Sequence, residues 1–247
     1  MSCPSTLPHP PVLAELTGAG PLALFVDFDG TLVELAPTPD GIVVPAGLAD
    51  RLFALAGRMD QRLALVSGRA IPDLAHHLGP LQVARAGSHG AARELADGST
   101  LGPAALALPV AAADALRAFA AQAGFALEEK PHGAALHYRR DPALEPAGLD
   151  FAQGLAATHG LEIKRGKCVI ELVRPGASKD GAVRAFMAEP PFAGALPVFI
   201  GDDITDEDGF RAAKALGGFG ILVGDRAVTL AQYRLHDVAA VHAWLGL

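Results

Sequence analysis

The chain has 247 residues, 51% of them hydrophobic, so it can bury a substantial core in one or two lobes. Its formal net charge is −7 and it has no basic stripe, which argues against a nucleic-acid partner. The N-terminal residues are interrupted by prolines and lack a basic segment, so we expect no signal peptide. The sequence contains no long uncharged apolar stretch, which argues against a membrane span. It has only two cysteines, which argues against a disulfide framework. We therefore expect a cytoplasmic monomer without a membrane partner.

Short apolar runs alternate with amphipathic or alanine-rich stretches along most of the chain. The predicted strands are residues 22–27, 63–67, 83–86, 198–202 and 220–223. The predicted helices between and after them are residues 46–57, 71–78, 207–216 and 238–245. Such alternation is typical of parallel βαβ units. The sequence therefore predicts an α/β fold with a doubly wound, Rossmann-like parallel sheet.

Residues 102–176 break this alternation. Here the pattern predicts a helix over 110–123, strands over 125–130 and 134–140, a second helix over 147–159, and strands over 161–165 and 167–173. Linkers rich in glycine, proline and serine flank the block at 98–103 and 175–178. We therefore expect an inserted α+β cap domain at 102–176, within a discontinuous core domain of residues 1–101 and 177–247.

The first predicted strand ends in Asp27-Phe28-Asp29-Gly30-Thr31-Leu32. Two carboxylates two residues apart serve no packing purpose there, and ligands of open α/β sheets bind at the carboxyl ends of strands. Glycine lets the chain turn sharply and bring backbone N–H groups close to an anion. The alternative is a simple Asp-Gly turn. The whole hexapeptide after an apolar strand favours a site that holds a cation and a phosphate together.

Two further apolar strands end in polar residues. Ser67-Gly68-Arg69 follows one of them and can bind phosphate through a hydroxyl and backbone amides, although serine is also an ordinary N-cap residue. Residues 201–207 follow the other and contain four acids within six residues, which repel one another without a cation. A helix N-terminus explains Asp206 and Glu207. Asp202 is then the best metal ligand.

These motifs resemble those of the haloacid dehalogenase superfamily of phosphohydrolases. Asp27 and its neighbours match the first motif, Ser67 the second and Lys179 the third. The resemblance implies catalytic roles for Asp27 as nucleophile, Asp29 as general acid and base, and Lys179 as the neutralising cation. It implies phosphate contacts from Thr31, Ser67 and Gly68. It also implies Mg²⁺, held by Asp27, the Asp29 backbone carbonyl, Asp202 and Asp203.

The predicted cap carries polar residues that packing does not explain. Glu171 interrupts an otherwise apolar strand, and Glu128 and Lys130 are two residues apart and so share one face. His137 and Arg139 share a face in the same way. These side chains either bind substrate or are solvated charges on the solvent-exposed face of a two-layer domain.

A narrower resemblance follows from Glu128-x-Lys130, His137-Tyr138-Arg139, Gly87-Ser88-His89-Gly90 and residues 166–171 and 201–207. Together they are similar to the trehalose-6-phosphate phosphatase family. The resemblance implies a small sugar phosphate, trehalose 6-phosphate, as substrate, and the substrate contacts Arg69, His89, Glu128, Lys130, Arg139 and Glu171. The chain departs from the family pattern at Arg174, Asp180 and Ala92.

Other functions are compatible with the same motifs. They are a phosphatase for another sugar phosphate such as sucrose phosphate, a phosphosugar mutase, and a catalytically silent carbohydrate-sensing domain. The acids, serine and lysine of the core motifs argue against a silent domain. Release of phosphate from a panel of sugar phosphates distinguishes a hydrolase from the mutase and the sensor.

Overall fold

The computed structural model describes residues 7–104, 106–166 and 168–247. Cys3, and Lys167 at the start of a predicted cap strand, lie outside these residues. The chain forms two compact units, one of residues up to Gly102 with Ser178–Leu247, and the other of Pro103–Ala177. Among the described residues, no helix combines the length and the apolar character needed to cross a membrane.

The elements follow one another along the chain in a simple order. They are α1 (Leu13–Ala19), β1 (Leu22–Val26), α2 (Leu48–Arg58), β2 (Leu63–Val66), α3 (Ile71–Leu78), β3 (Ala84–Gly87), β4 (Ala92–Glu94), α4 (Val110–Ala123), β5 (Ala126–Lys130), β6 (Gly133–His137), α5 (Glu145–His159), β7 (Glu162–Gly166), β8 (Val169–Val173), α6 (Lys179–Met187), β9 (Leu196–Gly201), α7 (Asp206–Ala215), β10 (Phe219–Val223), β11 (Tyr233–Leu235) and α8 (Val238–Leu245).

The larger unit is built on a seven-stranded sheet in the order β11-β10-β9-β1-β2-β3-β4. Every pair is parallel except β3 with β4. Leu24 and Val26 of β1 pack with α2, α3 and α8, whereas Phe25 packs on the other face with α6 and α7. The predicted doubly wound α/β fold is therefore confirmed. Since β1, β2 and β9 are neighbours, the loops after them meet at one edge of the sheet.

Two strands of this sheet were not predicted from the sequence, and both are short and at an edge. In β4 all three residues are only partly buried, and Glu94 is fixed by an ion pair with Arg85 of β3, at 2.6 Å. In β11 only Leu235 is buried. An apolar-run criterion misses such strands, because one side of an edge strand faces no neighbour that would require burial.

The smaller unit contains an antiparallel sheet in the order β5-β6-β8-β7. Leu136 and Ile170 face a core formed with α4 and α5, so the alternate residues of these strands lie on the opposite face. The prediction of a strand over 134–140 was wrong at its end, since β6 stops at His137. The Tyr138 N–H bonds the Cys168 carbonyl at 3.0 Å, and the chain then turns. Arg139 therefore lies in an exposed turn rather than in a strand.

Candidate active site

The central strand β1 delivers Asp27 to the carboxyl edge of the larger sheet. The Asp27 N–H donates to the Ile200 carbonyl of β9 at 2.9 Å, and the residue is only 4% exposed. The turn that follows is closed by the Gly30 N–H, which donates to the Val33 carbonyl at 2.7 Å. Gly30 has φ +77°, and a Cβ there would lie 2.4 Å from Oδ2 of Asp202. The glycine is thus required by both the turn and the approach of a second carboxylate.

Lys179, the first residue of α6, lies between the carboxylates of Asp27 and Asp206. Its Nζ lies 2.7 Å from Oδ1 of Asp27 and 2.6 Å from Oδ1 of Asp206, and its side chain is 2% exposed. Oδ2 of Asp206 accepts a hydrogen bond from the Asp203 backbone N–H at 2.8 Å. Ser178 caps α6 by accepting from the Gly181 N–H at 3.0 Å. The helix start therefore fixes the ammonium group against two buried carboxylates.

Burial dominates the electrostatics of this group. It raises the pKa of Asp27 well above its ordinary value, a rise that Lys179 opposes and that the charges of Asp206 and Asp202 increase. Burial raises the pKa of Asp206 as well. For Lys179, burial acts to lower the pKa, but the charges of Asp206 and Asp27 outweigh it and the pKa rises. The cluster therefore contains one ammonium group and several carboxyl groups, which leaves an excess of negative charge.

A divalent cation fits this excess of negative charge. Carboxylate oxygens of Asp27, Asp202 and Asp206 all lie within 4.8 Å of one another. Mg²⁺ prefers such oxygen ligands, together with water and substrate oxygens. The absence of a Cβ at Gly30 is what allows the Asp202 carboxylate to come this close to the turn after β1. The chemistry of the donor set therefore suits Mg²⁺.

The loop after β2 places hydroxyl and amide groups near the same edge. Ser67 is fully buried, and its carbonyl accepts from the His89 N–H at 2.9 Å. The His89 ring lies against Gly68, where a Cβ would come within 2.7 Å of Cε1. Thr31 is also fully buried, and its Oγ1 has no hydrogen-bond partner within the described part of the chain. Their role in phosphate binding stays a prediction.

Arg69 contacts the second acid of the first motif. Its Nε donates to Oδ2 of Asp29 and its Nη2 to Oδ1, both at 2.7 Å, so the two side chains form a bidentate pair. Nη1 donates to Oδ2 of Asp73 at 2.7 Å. Burial acts to lower the pKa of Arg69, but Asp29 and Asp73 outweigh it and the pKa rises. This guanidinium is therefore a permanent cation held between two carboxylates.

In the smaller unit, Glu128, Lys130 and Glu171, three of the residues predicted to bind substrate, form a cluster on the sheet face opposite the helices, whereas Arg139 lies in the exposed turn after β6. Glu128 and Glu171 both lie in register with Ala135, on either side of it. Lys130 Nζ is 3.0 Å from Oε1 of Glu171 and 3.8 Å from Oε1 of Glu128. Glu171 is 4% exposed, so it is not an ordinary solvated charge. Burial acts to raise the pKa of Glu128, but a 2.7 Å contact with His137 and the charge of Lys130 outweigh it and the pKa falls.

A family model described as trehalose-phosphatase matches residues 25–238. This chain belongs to the trehalose-phosphatase family. It is 41% identical over 231 residues to trehalose-6-phosphate phosphatase of Escherichia coli (strain K12), with 91% of this chain and 85% of that protein covered. It is 39% identical over 215 residues to the probable trehalose-phosphate phosphatase of Sinorhizobium fredii (strain NBRC 101917 / NGR234), with 82% and 77% covered.

A solved structure agrees with this assignment at the level of the fold. The C-terminal domain of trehalose-6-phosphate phosphatase from C. albicans matches with a TM-score of 0.79 at 22% identity, and 98% of each chain is covered. The predicted family and the prediction of a phosphoric monoester hydrolase are confirmed.

The sequence analysis did not predict that Asp206 pairs with Lys179 in this member of the trehalose-phosphatase family. Its position in the first turn of a helix explained it as an ordinary N-terminal acid, yet it is fully buried and paired with Lys179. Asp203 contributes a backbone N–H to that group, and its carboxylate is not one of the three that converge. A signal in the sequence is Gly201, since a Cβ there would lie 2.2 Å from Cγ of Asp206.

Proposed function

We propose that the chain is a Mg²⁺-dependent trehalose-6-phosphate phosphatase that releases trehalose and phosphate through a phosphorylated Asp27. The observation that carries the chemistry is the Asp27 carboxylate, buried at the end of the central strand with Lys179 Nζ at 2.7 Å. A carboxylate fixed beside a cation is suited to attack a phosphate whose charge the cation then stabilises. The names of the family and of its relatives supply the substrate.

The reaction has two steps. In the first, an Asp27 oxygen forms a bond to phosphorus, the bond from phosphorus to the sugar oxygen breaks, and Asp29 gives that oxygen a proton. In the second, a water oxygen forms a bond to phosphorus, the bond from phosphorus to the Asp27 oxygen breaks with its electron pair returning to Asp27, and a proton of the water passes to Asp29. Thr31, Ser67 and Gly68 bind the remaining phosphoryl oxygens. Lys179 stabilises the charge in both steps.

Mg²⁺ would be held by Asp27, Asp202 and Asp206, together with the backbone carbonyl of Asp29. When bound, it screens the attacking carboxylate from the phosphate and neutralises charge on the phosphoryl oxygens. The excess of carboxylates over ammonium groups in this cluster supports the assignment, since such a group is costly to bury without further positive charge.

Mg²⁺ should stabilise the folded protein. At about 100 times its Kd, a ligand adds about 2.7 kcal/mol to the free energy of unfolding. For a chain of this size we expect Tm to rise by about 5–10 °C, measured by differential scanning calorimetry. Asp202→Asn should remove most of the rise, because it removes one of the converging carboxylates. The exposed Asp225 provides the control, and Asp225→Asn should retain the full shift. An equal shift in all three proteins would contradict the site.

The sugar-binding role of the cap cluster predicts a loss that depends on the substrate. Glu171→Ala removes charge-assisted hydrogen bonds worth about 1.5–3 kcal/mol, which lowers kcat/KM for trehalose 6-phosphate roughly 10- to 150-fold. p-Nitrophenyl phosphate has no sugar, so its kcat/KM should stay within about threefold. In the wild-type protein, trehalose 6-phosphate should also release phosphate faster than sucrose 6-phosphate or glucose 6-phosphate.

Glu129 offers a matched control for this experiment. It neighbours Glu128 on β5 but is exposed and pairs with Arg117 of α4, on the other face of the sheet. Glu129→Ala should leave both substrates unaffected. An equal loss for both substrates in Glu171→Ala would instead assign Glu171 to the stability of the fold. No loss for either would remove the argument for sugar binding at this cluster.

A further inference from the structure

We infer that Arg69 is a positioning residue for Asp29 rather than a contact to the substrate, and that Asp73 and His77 hold Arg69 in that position. The inference rests on the proposed function, because it concerns the step in which Asp29 takes a proton from water. It changes the role that the sequence predicts for Arg69. It also gives roles to Asp73 and His77, which no motif singles out.

The guanidinium group of Arg69 contacts protein side chains along two of its edges. The edge formed by Nε and Nη2 donates to both oxygens of Asp29 at 2.7 Å. Nη1 donates to Asp73 at 2.7 Å and lies 3.1 Å from Nε2 of His77. The guanidinium carbon also lies over the Phe28 ring, 5.9 Å from its centre. With its side chain 8% exposed, Arg69 is held by protein groups in a fixed orientation.

These contacts explain why Arg69 acts through Asp29. An arginine binds phosphate through the same planar fork that binds a carboxylate, and here the Nε–Nη2 edge faces Asp29. The opposite end is held by α3, on which Asp73 and His77 are four residues apart and so lie on one face of the helix. A substrate phosphate would have to displace a bidentate ion pair to use this fork.

The pair suits the second step of the proposed reaction. In that step a bond forms between the water oxygen and phosphorus, the bond from phosphorus to Asp27 breaks, and the water proton passes to Asp29. Each carboxylate oxygen has a second lone pair that a single donor does not use, so Asp29 can accept that proton while Arg69 still orients it. Orientation matters, because a misplacement of about 1 Å can cost about 100-fold in rate.

The test is Arg69→Lys, assayed with p-nitrophenyl phosphate. Lysine keeps the positive charge but lacks the fork, so we expect kcat to fall about 10- to 100-fold. The ratio kcat/KM should stay within about threefold, because it reports only the steps up to release of nitrophenolate, an acidic leaving group that does not need the proton Asp29 gives to a sugar oxygen. In rapid mixing, a burst of about one nitrophenolate per enzyme should come before a slower steady rate.

A second variant keeps the test valid should Arg69→Lys fail to fold. Asp73→Asn weakens the hold on Arg69 without touching Asp29, and it should lower kcat about 3- to 10-fold with the same retained kcat/KM. The control is Asp114→Asn on α4, which removes an exposed aspartate–arginine pair of the same kind, with Arg117 at 2.7 Å. It should change neither constant.

Each other outcome overturns the inference. A raised KM with unchanged kcat would make Arg69 a substrate contact, and unchanged constants in both variants would make the pair inconsequential. Asp29→Asn separates this result from a failure of the proposed function. If Asp29→Asn turns over at the wild-type rate, the acid–base part of the proposed function fails. If it is slow while Arg69→Lys and Asp73→Asn behave as wild type, only the positioning role of Arg69 fails.

Discussion

Asp27→Asn should abolish turnover of every phosphate monoester, with a loss on the order of 10⁴- to 10⁶-fold, as for other enzymes that lose their nucleophile. An amide oxygen is a far weaker nucleophile than a carboxylate oxygen and forms no stable phosphorylated intermediate. The fold should persist, because asparagine has nearly the volume of aspartate and Lys179 keeps its contact with Asp206 at 2.6 Å. Burial also raises the pKa of Asp27, which means that it disfavours the charged form, so the fold should tolerate a neutral side chain at this position.

Two measurements check this expectation. Phosphate release gives the rate, and rapid acid quenching with labelled substrate should trap a phosphorylated protein in the wild type but not in Asp27→Asn. Far-ultraviolet circular dichroism confirms that the variant is folded, and Asp60→Asn, at an exposed position, serves as the control. A folded Asp27→Asn protein with near wild-type turnover would rule out the phosphorylated Asp27.

Lys179→Met should damage both activity and stability. Removing a group that stabilises charge in the transition state costs about 10²- to 10³-fold in kcat. The variant also leaves Asp27 and Asp206 buried without their ammonium partner, and breaking a buried pair in this way costs about 3–5 kcal/mol. Few substitutions outside the hydrophobic core should lower the free energy of unfolding as much.

The pH dependence of Lys179→Met distinguishes this cause from poor packing. Burial raises the pKa values of Asp27 and Asp206, so the native state binds protons more readily than the unfolded chain. Urea unfolding without Mg²⁺ should therefore show the variant regaining stability as the pH falls from neutral towards the ordinary range of aspartate. Lys214→Met, at an exposed position on α7, should leave stability and activity unchanged. A deficit that does not depend on pH would point to packing.

The sequence was sufficient for the fold wherever burial alone decides structure. β1, β2 and β9 lie in the middle of the sheet, so nearly every side chain in them is buried and the strands read as continuous apolar runs. The polar residues after them were visible for the same reason, because nothing in packing calls for them. Edge strands such as β4 and β11 lack that constraint and were missed.

The candidate site was harder to predict where a residue's partner is far away in the chain. Asp206 fits a local rule for helix N-termini, and only Lys179, 27 residues earlier, shows its other role. Arg69 and Asp29 are 40 residues apart, so their bidentate pair has no local pattern. Arg139 was placed in a strand because alternation continues past His137, whereas the turn that follows depends on a hydrogen bond to Cys168.

The position of β1 between β2 and β9 has a consequence for folding during synthesis. β2 is made soon after β1, but β9, with Leu196 opposite Leu22, begins about 170 residues after the end of β1. At a translation rate of about 5–20 residues per second, the fully buried strand β1 waits about 10–30 s with one edge unpaired. An open apolar edge is a site for pairing with other chains. The nascent protein is therefore most exposed to aggregation while its cap is being synthesised, before the second half of the core closes over β1.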